Sequence, residues 1–185
     1  MPSRYDPTYS EDWLLAGSPS GLRNQNMRQL DINADLAALT TQVMSSVAVP
    51  VQPGDKVTSL TFKSGATAAG TPTNWWFALY SSAGVLLAQT ADQLTAAWAA
   101  NTAITLALAT PQGVARQGYV YAAVMVKATT PNTLLGASVA LAGAAGAIAG
   151  SVILSQTSGS GLTTTAPATI ATPTTVATVP FCVLT

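Results

Sequence analysis

The chain has 185 residues, of which 49% are hydrophobic and only 8% charged, with seven basic and seven acidic side chains, no histidine and one cysteine. Soluble domains usually carry about 25% charged residues. General acid–base work and metal binding draw mainly on His, Asp, Glu, Cys and Lys, so this composition argues against an enzyme and against a bound cofactor or metal. Five of the seven acids (Asp6, Glu11, Asp12, Asp31 and Asp35) fall in the first 35 positions, and no charged side chain occurs from Ala128 to Thr185. Charge ordinarily keeps a monomer soluble. A permanent homo-oligomer can dispense with it, because neighbours cover much of its surface; the alternative is a Thr-rich β-domain kept soluble by hydroxyls.

The cations are dispersed, and no basic patch for nucleic acid is visible. Cys182 stands alone, so no internal disulfide forms. Met1-Pro2-Ser3-Arg4-Tyr5-Asp6 shows no apolar signal region, which points to synthesis and retention in a cytoplasm until assembly.

Residues 1–21 read as an arm, interrupted by Pro2, Pro7, Gly17, Pro19 and Gly21. Tyr5, Tyr9, Trp13 and Leu14 are too apolar for a solvated tail; they dock either on a neighbouring chain or back on their own domain. Residues 33–46 are compatible with a short helix, with Asn33 as N-cap, Asp35 in the first turn, and Leu36, Leu39 and Val43 at helical spacing. Thr40, Thr41 and Val43 would also suit a strand. The expected division is 1–46 for arm and helix and 47–185 for a β-domain.

From Val47 the pattern is β. Pro53-Gly54-Asp55 is a turn, and Lys56–Lys63 alternates with Thr58, Leu60 and Phe62 on one face. Asn74–Tyr80 and Val85–Gln89 flank Ser81-Ser82-Ala83-Gly84 as a hairpin. Alternation over 102–110 and 119–128 adds Leu106, Leu108, Val124 and Val126 to the expected core of Leu60, Phe62, Phe77 and Leu79. Strands at such short intervals predict a β-sandwich or jelly roll. The same alternation puts Trp75 and Phe77 on one face and Trp76 and Tyr80 on the other. The expectation is that Trp76 and Tyr80 pack against a neighbouring subunit; sugar stacking is the alternative. Trp98 is expected to plug one end of the sandwich. Residues 134–154 lack charge and contain Gly146 and Gly150 at GxxxG spacing, but no Trp or Tyr flanks them. A pair of small-residue strands is favoured over a membrane helix. Residues 157–178 read as loops and edge strands, and Val179–Val183 as a closing strand.

The stretch from Pro53 to Gly136 resembles a module of tailed-bacteriophage virion proteins. The residues that carry it are Pro53-Gly54-Asp55-Lys56-Val57, the hairpin from Trp76 to Ala88, Asp92, Trp98, Leu106 to Pro111, Gly118-Tyr119-Val120-Tyr121 and Pro131 to Gly136. Such modules occur in head-surface and minor tail proteins. The resemblance implies a virion role: a capsid decoration or minor capsid protein that stabilises the head, or else a minor tail protein with a host-binding role. A secreted carbohydrate-binding module is the third reading, disfavoured by the missing signal peptide. The partners implied are other copies of the chain, as a trimer, and the major capsid protein or other virion proteins. No nucleic acid and no membrane are implied.

Overall fold

A computed structural model describes residues 24–140 and 151–185. The chain is mainly β, and its described residues form thirteen strands in three antiparallel sheets. In chain order they are β1 (Asn24–Gln25), β2 (Ala34–Asp35), β3 (Met44–Val51), β4 (Lys56–Lys63), β5 (Gly70–Tyr80), β6 (Leu86–Gln89) and β7 (Ala103–Gly113). Then follow β8 (Gly118–Thr130), β9 (Leu135–Ser138), β10 (Ser155–Ser158), β11 (Thr174–Thr175), β12 (Thr178–Pro180) and β13 (Cys182–Leu184). A six-stranded sheet has the order β11-β10-β3-β8-β5-β6, a four-stranded sheet β1-β13-β4-β7, and a small sheet β12-β9-β2.

The two larger sheets form a sandwich. Its core draws Val47 and Val49 from β3, Phe77 and Leu79 from β5, and Val124 and Val126 from β8, against Leu60, Phe62 and Leu108 from the opposite sheet. Phe62 meets Phe77 edge-on at 4.9 Å. The expected core residues are therefore buried, with one adjustment: Leu106 is only half-buried, at the margin of the core. On β4 a bulge lies between Val57 and Ser59. It turns Val57 inward and leaves Thr58 exposed, although strict alternation had placed Thr58 with Leu60 and Phe62.

No helix forms over 33–46; among the described residues the only helical piece is a 3-10 turn at Gln29–Asp31. The segment runs extended along residues 132–136: the Leu36 amide donates to the Leu134 carbonyl and the Leu39 amide to that of Asn132. The residues that read as helix caps serve other partners. Asn33 Oδ1 accepts from the Ser138 amide, and Asp35 Oδ2 accepts from the Ala66 amide at 2.9 Å. Tertiary pairing overrides a weak local preference here. The boundary drawn at 46/47 falls inside β3, and residues 24–46 contribute β1, β2 and the start of β3 to the same sheets.

The hairpin is as expected, closed by the Ser81 amide donating to the Val85 carbonyl at 2.8 Å. The closing strand is split at Phe181: β12 joins the small sheet and β13 the four-stranded one. Gly136 on β9 lies directly opposite Pro180 on β12, and a Cβ there would collide with the Val179 carbonyl and Pro180. Only glycine allows that approach. Of residues 134–154, Leu135–Ser138 is strand and Ser151–Leu154 irregular, while 141–150 lie outside the described residues. Among the described residues no helix is long and apolar enough to cross a membrane.

Candidate functional site

Alternation on β5 and β8 gives the six-stranded sheet a second apolar face, with Trp76, Tyr80, Tyr121 and Met125 at its centre. The chain covers that face itself. Residues 162–170 cross it as an irregular strap that presses Leu162, Ala166 and Ile170 onto the aromatic rings. Side chains of the sheet hold the strap. Trp76 Nε1 donates to the Thr163 carbonyl at 2.7 Å, and the Tyr80 hydroxyl to that of Pro167 at 2.9 Å. The Gln89 amide does both jobs: Nε2 donates to Thr164 O and Oε1 accepts from Ala166 N. Burial pushes the Tyr80 phenol well above its usual pKa and that of Tyr121 to about 12.

This corrects the expectation for Trp76 and Tyr80. Both are fully buried within their own chain, so neither presents a face to a neighbouring subunit or a sugar. Tyr5, Tyr9, Trp13 and Leu14 lie outside the described residues.

The described acids are held by local structure. Asp92 accepts from the Trp75 and Leu94 amides and from Asn74 Nδ2, which ties the segment after β6 to β5. Asp55 closes its turn by accepting from the Gln52 amide and anchors β1 through Asn24 Nδ2. Asp35 fastens the loop at Ala66. Asp31 pairs with Arg28 at 2.9 Å; the hydrogen bond from Arg28 holds its carboxyl below the usual carboxylate range. Among the described residues no three His, Cys, Asp or Glu side chains gather to hold a metal ion.

The two ends of the sandwich differ. At one, Trp98 is the expected plug: it stacks on Trp75 at 5.0 Å, meets Phe77 edge-on at 5.5 Å, and donates its indole N–H to the Thr102 carbonyl. The other end is an open cleft of about 360 Å³ between the β5–β6 hairpin and the β7–β8 loop. Its floor is aliphatic, from Val51, Val57, Leu79 and Val120. Its rim carries Gln112, Arg116, Gln117 and Tyr119. A Cβ added at Gly113 or Gly118 would meet nothing within 4 Å, so the backbone at the mouth is bare. Sequence reading missed this cleft. The available signal was the lone Arg116 in a short glycine-bounded loop between two alternating strands.

No protein-family model matches the chain, and comparison with the curated proteins finds no similar sequence.

Proposed function

We propose that the chain is a non-enzymatic structural protein of a bacteriophage virion, a capsid decoration or minor capsid protein that stabilises the head. The observation that supports it is the use made of charge. The four described carboxylates (Asp31, Asp35, Asp55 and Asp92) are spent on loops, a turn and an exposed ion pair, a division of labour that suits a scaffold. The resemblance over Pro53–Gly136 supplies the virion context. The reading includes a homo-oligomer, taken as a trimer with closed symmetry, and an arm that docks on a neighbouring copy or on the major capsid protein. A minor tail protein with a host-binding role is the second reading, favoured by the open cleft beside Arg116.

Labelling purified particles with an antibody against this chain, together with counting copies per particle by quantitative mass spectrometry, tests the proposal. The expected result is labelled heads with copy numbers that follow capsid symmetry. A few copies at the tail tip would transfer the role to the second reading. Absence from purified particles would exclude both.

A further inference from the structure

We infer that the open end of the sandwich binds the C-terminal residues of a partner polypeptide, with a terminal aliphatic side chain on the valine–leucine floor and the terminal carboxylate on Arg116. The inference does not rest on a virion role; it stands on the cleft alone. Ligand pockets span roughly 300–1,000 Å³, and about 360 Å³ here leaves room for an aliphatic side chain and its backbone.

The floor selects an apolar group. Val51, Val57, Leu79 and Val120 close the bottom with methyl and methylene groups, each no more than 7% exposed, and Leu87, 39% exposed, supplies an open apolar wall. Arg116 is the single charged residue of the lining. Among the described residues the only ion pair is Arg28 with Asp31, so Arg116 faces the mouth with no carboxylate of the described chain beside it. A guanidinium over an apolar floor matches a carboxylate, which it binds through two parallel N–H donors.

The amides select a peptide over a simple aliphatic acid. Gln112 donates Nε2 to the Thr110 carbonyl, which leaves its Oε1 as an acceptor at the rim. Gln117 adds a second amide, with both a donor and an acceptor. A peptide unit next to a terminal carboxylate offers the complementary N–H and C=O; an aliphatic acid has neither. Sugars offer hydroxyls but little to fill an aliphatic floor.

The test is fluorescence anisotropy of the full-length protein with fluorescein-labelled Gly-Ser-Gly-Val-Leu, as the free acid and as the C-terminal amide. The acid is expected to bind at least about tenfold more tightly than the amide, the size of one charged hydrogen-bonded contact. Arg116→Gln should bring the acid down to the level of the amide, and Leu87→Gln should weaken both peptides. Both positions are exposed, so unchanged melting curves are expected for the two variants. Equal binding of acid and amide, or no binding of either at millimolar peptide, would overturn the inference. Displacement of the peptide by octanoate at equal concentration would also overturn it, placing the ligand among free aliphatic acids.

Discussion

The two faces of the six-stranded sheet are both dry, but they are covered by different means. On one, regular strands bring Leu60, Phe62 and Leu108 against Phe77, Leu79 and Val124, and the covering chain satisfies its own backbone in a ladder. On the other, residues 162–170 have little regular structure, so their carbonyls must find donors elsewhere. The Leu86 backbone amide serves Ala168 and the Gln42 side chain serves Leu162; three further donors are side chains of the sheet, the Trp76 indole, the Tyr80 phenol and the Gln89 amide. Polar tips on large apolar bodies allow this, because the ring packs while its N–H or O–H binds. Burial accounts for little of the missing charge in the strap: Leu162, Ala166 and Ile170 pack on the aromatic face, while Thr163, Thr164, Thr165, Ala168 and Thr169 are exposed and uncharged.

The sharpest way to break this contrast is Trp76→Ala. Loss of a fully buried indole should cost about 3–5 kcal/mol in urea unfolding. It should also release the strap before the sandwich. Proteinase K should then cut within 159–173 while the remaining strands stay protected; trypsin has no Lys or Arg there. A single transition with no early cleavage would mean that both faces form one cooperative unit.

Leu60 and Leu106 test the strand-covered face. They are direct neighbours across β4 and β7, yet Leu60 is fully buried and Leu106 half-buried. Leu60→Ala should cost about 2–5 kcal/mol. Leu106→Ala should cost about 1 kcal/mol, since its side chain gives up less contact. Equal costs would show that the core extends further under β7 than its burial indicates.

Alkaline titration compares the faces chemically. Cys182, on the strand-covered side, has its thiol pushed up from 9.0 by burial, and Tyr80 and Tyr121, under the strap, have phenols pushed up from 10.0. In each case the unfolded chain loses its proton first. Stability from these groups is therefore complete below pH 9 and falls as pH rises through 9 and then 10, by at most about 1.4 kcal/mol per pH unit for Cys182. Denaturant midpoints measured from pH 6 to 11 check the sign. Stability that rises above pH 9 would contradict it. Iodoacetamide should label Cys182 only after unfolding.

The smallest expected effect is that of Tyr80→Phe, which keeps the ring and removes the donor to Pro167. It should cost about 0.5–1.5 kcal/mol. A larger cost would mark the strap as held chiefly by hydrogen bonds.

Strand chemistry was legible where it was local. The limits of β4, the hairpin at Ser81–Gly84 and the Trp98 plug follow from alternation and turn residues within a few positions. The fate of Trp76 and Tyr80 was not legible, because each is capped by a residue 87 positions downstream, in a segment whose Thr, Pro and Ala carry no periodic signal. The stretch at 33–46 failed for a related reason. Asn33 and Asp35 have the chemistry of a helix start, but that chemistry serves equally to receive amides from distant strands, and only the fold decides which. The cleft escaped notice because Leu79 reads as ordinary core and strict alternation puts Val57 on the outer face of β4; only the bulge between Val57 and Ser59 turns it to the same end as Leu79.

The strap has a consequence for synthesis. The aromatic face is complete in sequence once β8 has left the ribosome at Thr130, but its cover is translated only when residues 162–170 follow. At roughly 5–20 residues per second, the nascent chain presents Trp76, Tyr80 and Tyr121 uncovered for a few seconds. Exposed apolar surface in that interval is a target for chaperones and a risk for aggregation when many chains are made together. Yield of soluble protein should therefore depend on translation rate and temperature more than the stability of the finished fold would suggest.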